Sequence, residues 1–364
     1  MVDAGLDALI VSHRPNVQYL SGFAGSAGAL LVTRDASRLV VDFRYVTAAR
    51  EMLEGRPGGS TTVERADRSE DETIVLLLKS EGRQRIGIEA AWMPVLRFNR
   101  LSAALAGEAR TPLHAGTPVP VLVPTERIVE RVRAVKDPAE IAVLREAAER
   151  LSRVAVEALP QIVEPGRTEA EVAAALDAAV REAGFNRPAF DTIVASGPNS
   201  ALPHARAGGR RLAPGDPVVL DFGGVYDGYC VDLTRTVQLP PTTGEFRRLF
   251  AAVAEAHAAA LAAVRAGALT TDIDHAARQT LERYGLAAAF GHGTGHGLGL
   301  ELHEEPRISK SDPARPAEAV SVGMVFTVEP GVYLPGTAGV RIEDDVLVVE
   351  NGCDVLTKVP IALW

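Results

Sequence analysis

Cysteine is scarce in this chain, with only two residues, Cys230 and Cys353, among 364. Neither belongs to a CxxC pair, and two cysteines in a chain of this length do not indicate a disulfide framework. We therefore expect two free, buried thiols and a protein that works in the reducing cytoplasm. No serine or cysteine motif stands out as a covalent nucleophile.

Long apolar runs and an excess of positive charge are also missing. No apolar run approaches the ~18 residues that indicate a membrane span, and the first residues lack the basic flank and apolar core of a signal peptide. The formal net charge is −9, which argues against general binding to nucleic acid or to anionic membranes. The sequence therefore predicts neither kind of partner.

The composition that is present predicts about two domains. Hydrophobic residues make up 47% and charged residues 23% of the chain, enough apolar material for a large core. We place the domains at residues 1–126 and 127–364. In the first, apolar strands such as Ala8 to Ser12 alternate with helical stretches such as Asp71 to Ser80, which indicates an α/β layered domain. Four prolines mark the segment that leads to the second domain, namely Pro112, Pro118, Pro120 and Pro124.

The second domain begins with helix signals. Asp137 is a candidate N-cap with Pro138 in the first turn, and Thr168 with Glu171 fits the capping-box pattern. Two further helices are predicted over Gly244 to Ala266 and Thr271 to Tyr284, where alanine-rich faces indicate helix packing.

Residues 216–237 predict a β-hairpin, because Asp227-Gly228 is a type I′ turn signal between two β-prone runs. If these two residues form the loop, Asp221 pairs with Thr234, and Asp232 lies on the same face as Asp221. The two aspartates are then diagonal neighbours, roughly 7–8 Å apart at the backbone. A register shift of one residue would separate them. The hairpin alone is equally consistent with two solvated aspartates.

Residues 291–306 contain three histidines, His292, His296 and His303, with glycines around the first two. Glycine permits close approach of the backbone and positive φ, so these imidazoles need not lie on a helix. Surface histidines in a flexible loop are the alternative. A phosphate-binding loop is not favoured, because GxGxxG spacing and a following Lys-Ser/Thr are missing. Buried strand positions are predicted for Leu298, Leu300 and Leu302.

Two glutamates lie in strongly β-prone runs. Glu329 ends an apolar strand before a Pro-Gly turn, and Glu343 lies inside the run 340–349. A buried, unpaired carboxylate is costly, so each predicts a nearby cation, either an arginine such as Arg341 or a metal ion. Four carboxylates and one imidazole suit two divalent ions, Mn²⁺ first and Co²⁺, Fe²⁺ or Zn²⁺ as alternatives. The five candidate metal ligands are Asp221, Asp232, His296, Glu329 and Glu343.

These segments together resemble the pita-bread metallopeptidases, which include prolidase, aminopeptidase P, methionine aminopeptidase and creatinase. The motifs LDFGG (220–224), VDLTRT (231–236), GHGTGHGLGLELHE (291–304), TVEPGVY (327–333) and RIEDD (341–345) occur in the order of that family. NVQYLSGF (16–23) and DFRY (42–45) resemble its non-catalytic domain. The resemblance implies an α/β (α+β) protein, with an N-terminal creatinase-like α/β domain followed by a C-terminal pita-bread catalytic domain. Relative to that family, we expect that the initial helix is partly missing here or that the start site is unusual.

The resemblance also implies roles for individual residues. Asp221 would chelate one metal ion, and Asp232 and Glu343 would bridge both. His296 and Glu329 would complete the second site, with a metal-bridging hydroxide as the nucleophile. Glu329 is expected to shuttle protons. His303 is expected to face the substrate carbonyl, and the substrate pocket would contain His292 and, from the segment 196–205, His204.

Three functions remain open at this stage. A prolidase, which cleaves Xaa-Pro dipeptides, needs a cation near the proline carboxylate, and Arg341 and Arg44 are our candidates. An ion pair with Asp42 is the structural alternative for Arg44. An aminopeptidase P would leave that side open to a longer peptide, and a non-catalytic scaffold should lack metal ligands, none of which is missing. The N-terminal domain argues against a methionine aminopeptidase, the intact ligands argue against creatinase, and compact length favours the dipeptidase. A homodimer follows from the resemblance only.

Overall fold

The computed structural model describes residues 1, 4–54, 60–107, 119–313 and 316–363. The chain forms two compact units, Met1–Val132 and Arg133–Trp364. The predicted linker prolines Pro112 and Pro118 lie outside the described residues. Among the described helices, none is both long and apolar enough to cross a membrane.

The first unit is built on one mixed six-stranded sheet with the strand order β4-β3-β2-β1-β5-β6. Its strands are β1 (Ala8–Val11), β2 (Ala29–Thr33), β3 (Ser37–Val41), β4 (Thr61–Arg65), β5 (Arg85–Glu89) and β6 (Val121–Thr125). Its helices are α1 (Arg14–Ser21), α2 (Val46–Glu54), α3 (Glu70–Ser80) and α4 (Val95–Ala106), and α5 (Ile128–Ala134) follows β6. Alternate side chains of the strands enter two separate apolar cores, one with α3 and α4 and one with α1 and α2. The predicted α/β layering is confirmed.

Among the described residues of the second unit, five α-helices combine with three sheets. The helices are α6 (Pro138–Glu157), α7 (Leu159–Ile162), α8 (Glu169–Glu182), α9 (Gly244–Ala263) and α10 (Thr270–Arg283). The strands are β7 (Arg187–Pro188), β8 (Ile193–Ser196), β9 (Pro217–Tyr226), β10 (Tyr229–Gln238), β11 (Gly295–Gly297), β12 (Glu304–Ile308), β13 (Val325–Val328), β14 (Gly331–Leu334), β15 (Ala338–Arg341), β16 (Asp344–Val349) and β17 (Gly352–Val355). One sheet is built around β9, the second has the order β12-β11-β13-β16-β17, and the third pairs β14 with β15.

Helix ends in this unit follow the local sequence signals. Asp137 caps α6 and Thr168 caps α8, each through the reciprocal capping box, so both predicted caps are confirmed. The helix predicted to end at Ala266 stops at Ala263 instead. Val264 has an extended backbone there, and Gly267 has a φ of 82°, so the chain leaves the helix early.

Two apolar cores support the sheets from behind. Side chains of α6 and α8 pack with β9 and β10 in one core, and those of α9 and α10 pack with β13 and β16 in the other. Arg235 of β10 is fully buried, and its guanidinium donates to the carbonyls of Glu343 and Val359 and to the Asp344 carboxylate. A buried guanidinium with these partners connects β10 to the segment that begins β16.

Candidate metal centre

The hairpin of β9 and β10 places Asp221 and Asp232 together. Asp227 and Gly228 both have positive φ, 47° and 85°, as a type I′ turn requires. Asp221 pairs with Thr234, as predicted. Both aspartates are buried, and each has one carboxylate oxygen, Oδ1, without a hydrogen-bond partner among the described residues.

His296 lies in β11 between two glycines that the packing requires. A Cβ at Gly295 would lie 1.8 Å from the Thr327 carbonyl oxygen, and one at Gly297 would lie 2.1 Å from that of Glu305. Close backbone approach, rather than positive φ, therefore explains these glycines. The strand predicted over the leucines that follow was wrong: Leu298 is buried, but Leu300 and Leu302 are half-buried in a loop.

The two glutamates come from neighbouring segments. Glu329 directly follows β13, and its N–H donates to the Thr294 carbonyl at 2.7 Å. Glu343 lies at the break between β15 and β16 rather than inside one strand, because the run 340–349 joins two different sheets. Its backbone forms an isolated β-bridge with Thr234, and the Thr234 hydroxyl donates to Glu343 Oε2 at 2.5 Å.

These side chains converge from separate parts of the second unit. Ligand-type atoms of Asp232, His296 and Glu343 lie within 4.8 Å of one another. His296 Nε2 is 3.6 Å from Glu329 Oε1. The imidazole has its Nδ1 3.1 Å from the Gly297 carbonyl, which assigns the proton to Nδ1 and leaves the lone pair of Nε2 for a ligand.

The pKa values in the cluster reflect burial and crowding of like charges. Burial, together with the charges of Glu343 and Asp221, raises the pKa of Asp232 well above its usual value. Burial and the charges of Glu329 and Asp221 do the same for Glu343. Burial raises the pKa of Glu329 to about 7 and lowers that of His296 to about 4. Carboxylates so placed are costly when ionised unless cations accompany them.

The donor set fits divalent metal ions. The carboxylates of Asp221, Glu343 and Glu329 lie close enough to the Arg341 guanidinium to interact with its charge, and that guanidinium donates to Asp221 Oδ2. Among the described residues, the Oδ1 atoms of Asp221 and Asp232 have no hydrogen-bond partner, and the neutral His296 imidazole carries its lone pair on Nε2, so the set offers hard oxygen ligands and one nitrogen. Divalent cations would offset the excess of negative charge and would be coordinated by the buried carboxylate oxygens.

Arg341 is buried and engaged with protein groups. Its Nε donates to the Thr234 hydroxyl at 3.2 Å, and its Nη1 donates to Tyr333 Oη at 2.7 Å. Tyr333 in turn lies 3.0 Å from His292 Nε2. Because His292 Nδ1 is 2.8 Å from the Gly293 carbonyl, Nδ1 holds the proton and Tyr333 donates to Nε2. A hydrogen-bonded chain therefore connects Asp221 with His292.

Two histidines lie at exposed positions near this cluster. The ring of His303 is 4.3 Å from that of His296, centroid to centroid. Burial, with the charges of Arg307 and His204, lowers the pKa of His303. His204 also contributes to lowering the pKa of His292, after burial as the main cause. Both exposed imidazoles are thus close enough to affect neighbouring histidines.

Arg44, a further candidate, belongs to the first unit. It is exposed and donates to both carboxylate oxygens of Asp42, the ion pair named as its structural alternative. Its role toward a substrate stays a prediction.

Arg307 is a candidate that the sequence reasoning missed. It lies on β12 directly opposite His296 of β11, and residues so paired project to the same face. Arg307 is exposed, and its positive charge contributes to lowering the pKa of both His296 and His303. The sequence signal for this residue was the run EEPRI, which follows the histidine segment. That run can be identified as a strand antiparallel to β11 only when its pairing is known.

A cluster of buried charges supports the loop between His296 and His303. Arg133 pairs with Glu301 at 2.9 Å and also with Glu304, and Lys136 Nζ lies 3.4 Å from Glu304 Oε2. Glu304 Oε1 also accepts from the Glu301 N–H at 2.9 Å. These contacts tie the end of α5 and the segment before α6 to Glu304, the residue that follows His303.

Comparison with known proteins is consistent with this site. The model of metallopeptidase family M24 matches residues 142–350, and that of the creatinase/prolidase N-terminal domain matches residues 1–135. An uncharacterized peptidase of Bacillus subtilis, YqhT, is 36% identical over 98% of this chain and 95% of its own.

Solved structures agree over nearly the whole length. A Xaa-Pro dipeptidase from Bacillus anthracis superposes with a TM-score of 0.88 and 32% identity, covering 99% of this chain and 95% of its own. A X-Pro aminopeptidase from Thermotoga maritima gives a TM-score of 0.85 and 33% identity, covering 98% and 97%. The predicted fold class, a creatinase-like domain followed by a pita-bread domain, is confirmed. The family model spans the segments of all five candidate metal ligands, and the chain belongs to metallopeptidase family M24.

Proposed function

We propose that this protein is an Xaa-Pro dipeptidase that hydrolyses the bond before proline with the help of two divalent metal ions. The observation that carries the proposal is the convergence of Asp232, His296 and Glu343, with Glu329 within 3.6 Å of the imidazole and Asp221 on the same hairpin face. Four oxygen ligands and one nitrogen favour Mn²⁺, with Co²⁺, Fe²⁺ or Zn²⁺ as alternatives.

Five residues would hold the ions, namely Asp221, Asp232, His296, Glu329 and Glu343. When bound, the ions would lower the pKa of a water molecule and polarise the scissile carbonyl. Thr234 and Thr327 orient two of the ligands: their hydroxyls donate to Glu343 Oε2 at 2.5 Å and to Glu329 Oε1 at 3.4 Å. Such outer partners fix ligand geometry.

The remaining chemistry falls to side chains around the ligands. Glu329 Oε2, the oxygen that Thr327 does not contact, takes the proton of the attacking water and passes it to the leaving proline nitrogen. His303, exposed beside His296, donates to the carbonyl oxygen as negative charge develops on it. His292 and His204 line the substrate side, and the hydrogen bond from Tyr333 fixes the tautomer of His292.

The preference for a dipeptide rests on a cation that meets the proline carboxylate. We proposed Arg341 and Arg44 for this role from sequence, and Arg307 is better placed for it within the second unit. Arg341 already donates to Asp221, Tyr333 and Thr234, whereas Arg307 is exposed opposite His296. A guanidinium there can hold a carboxylate through two parallel hydrogen bonds.

The first test compares Ala-Pro, Ala-Pro amide and Ala-Pro-Ala on protein that was stripped of metal and reconstituted with Mn²⁺. We expect kcat/KM for Ala-Pro to exceed that for the amide by about 10- to 100-fold, since a hydrogen-bonded charge contributes about 1.5–3 kcal/mol. The amide replaces one carboxylate oxygen by NH₂ and so removes the charge and one acceptor at the same place, which isolates the carboxylate contact. Equal or higher kcat/KM for Ala-Pro-Ala would instead establish an aminopeptidase.

Replacing Arg307 should remove that preference. In Arg307→Met we expect KM for Ala-Pro to rise about 10-fold or more, because a charge-assisted pair is lost, while kinetics with Ala-Pro amide stay unchanged. Arg265→Met, which removes an exposed arginine elsewhere in the same unit, serves as the matched control. An unchanged KM for Ala-Pro in Arg307→Met would move the carboxylate contact to another residue.

Aminopeptidase P activity is the second candidate, and the similarity to the X-Pro aminopeptidase from Thermotoga maritima favours it. A non-catalytic scaffold is a remote third candidate. Such a protein should have lost metal-ligand positions, and all five candidate positions are intact in this sequence. A homodimer and a cytoplasmic location complete the proposal; light scattering and fractionation of cells test them.

A further inference from the structure

The Glu169 carboxylate is buried at the first turn of α8, only 1% exposed, and none of the steps proposed above uses it. It accepts hydrogen bonds from the Ser196 N–H at 2.8 Å, the Ser196 hydroxyl at 2.7 Å, the Asn199 side chain at 3.0 Å and the Gly208 N–H at 3.3 Å. Every one of these donors belongs to residues 196–208, which we call the His204 loop.

One carboxylate therefore closes both ends of the His204 loop. Ser196 starts the loop and Gly208 ends it, and the Ala170 N–H of α8 also donates to the Gly208 carbonyl at 3.0 Å. Between these ends lies a short 3-10 helix, Gly197–Ala201, followed by exposed Leu202 and His204. The helix α8 thus supplies a rigid base to which the exposed part of the loop is attached.

The opposite side of the loop faces the candidate metal centre. The Arg341 guanidinium donates to the Pro203 carbonyl at 3.3 Å, one residue before His204. The Gly339 N–H donates to the Ser200 hydroxyl at 2.8 Å, and a Cβ at Gly339 would lie 1.9 Å from the Ser200 carbonyl oxygen. The loop is therefore held between Glu169 on one side and β15 on the other, and His204 lies on the stretch between these attachments.

We propose that Glu169 is a positioning residue, whose carboxylate fixes both ends of the His204 loop so that His204 is held ready for substrate. The inference rests on the proposed peptidase function, since His204 acts only if a substrate binds there. A carboxylate suits this place because it has only acceptor oxygens, and the four groups around it are all donors. A glutamine would turn an NH₂ group toward one of these donors and leave a buried hydrogen bond unmade.

The test is Glu169→Gln, reconstituted with Mn²⁺ and assayed on Ala-Pro, with amide hydrogen exchange of residues 197–207 measured in parallel. We expect exchange in the loop to become about 10-fold faster while metal stoichiometry stays at the wild-type value, and kcat/KM to fall about 10- to 100-fold, because small misplacements of a substrate-facing group have effects of this size. Glu171→Gln is the matched control, since Glu171 lies on the same helix but only caps it, through Thr168.

A double-mutant cycle separates positioning from a merely structural role. If Glu169 acts through His204, adding Glu169→Gln to His204→Ala costs no further activity. An equal loss in both backgrounds, or unchanged exchange and activity in Glu169→Gln, would overturn the inference.

Should Glu169→Gln not fold, Asn199→Ala removes one donor and is expected to cause the same changes at smaller size; no change there would also overturn the inference. Wild-type protein that cleaves neither Ala-Pro nor Ala-Pro-Ala would reject the peptidase function, while the exchange data would still report whether Glu169 holds the loop.

Discussion

Asp232→Asn will lose bound metal and peptidase activity together. Asp232 lies within 4.8 Å of both other members of its cluster, His296 and Glu343, and its Oδ1 has no hydrogen-bond partner among the described residues. A neutral amide in its place is a poor ligand for a hard divalent cation. We expect kcat/KM for Ala-Pro to fall by more than about 10³-fold, beyond the usual cost of one lost stabilising donor, and metal content measured by plasma mass spectrometry to fall with it.

The stability of the metal-free protein gives an independent readout of the same site. Without metal, the charged forms of Asp232 and Glu343 are penalised by burial and by repulsion from neighbouring carboxylates. Removing one negative charge relieves that repulsion, so metal-free Asp232→Asn should unfold at a higher temperature than metal-free wild type at pH 8. Added Mn²⁺ should raise the unfolding temperature of wild type only, since binding to the folded state stabilises it.

Asp227→Asn is the matched control for this pair of measurements. Asp227 belongs to the same hairpin but is exposed in its turn, and asparagine tolerates the positive φ of 47° found there. It should keep wild-type metal content, activity and thermal stability. Retention of full metal content and activity in Asp232→Asn would show that the ions bind elsewhere.

The hairpin that brings Asp221 and Asp232 together was predictable from sequence because its information is local. Asp227-Gly228 fixes the turn type, the turn fixes the register, and the register places Asp221 and Asp232 on one face. The caps at Asp137 and Thr168 were predictable for the same reason, since a capping box spans only four residues. Where a structural feature depends on neighbours in the chain, the sequence contains what is needed.

Features that depend on pairing between distant segments were not predictable in this way. Glu343 lies in a run of β-forming residues, yet the chain changes sheets there. The change occurs because β15, before Glu343, pairs with β14, whereas β16, after it, pairs with β13. Arg307 faces the site only because β12 pairs with β11 past an irregular register at His296. Glu169 lies 27 residues before Ser196, and nothing near it in the sequence indicates that contact.

The loop after His296 shows how a pattern can mislead. Alternating leucines at 298, 300 and 302 have the period of a half-buried strand, but only Leu298 is buried. Glycines at 297 and 299 allow close approach to Glu305 and Glu304, and the buried pair of Arg133 with Glu304 draws the chain into a turn. Electrostatic partners from another part of the chain therefore decide the conformation that presents His303.

The second large effect is expected at His303. Its ring is exposed beside that of His296, but His303 does not belong to the candidate metal cluster of Asp232, His296 and Glu343. In His303→Ala we expect two metal ions per chain to remain and kcat for Ala-Pro to fall about 10²- to 10³-fold, the cost of losing one donor to a developing negative charge. KM should change little, since the interaction forms mainly in the transition state.

His303→Gln and His275→Ala make the prediction specific. Glutamine keeps a donor near the same position and should restore part of kcat, whereas His275→Ala removes an exposed imidazole from α10 and should behave as wild type. Metal content and kcat are measured on the same preparations, so a fall in metal content would assign His303 to metal binding or to support of His296 instead. Unchanged kcat with full metal content would mean that the metal ions alone stabilise the negative charge on the carbonyl oxygen. No other exposed imidazole among the described residues adjoins the ring of His296.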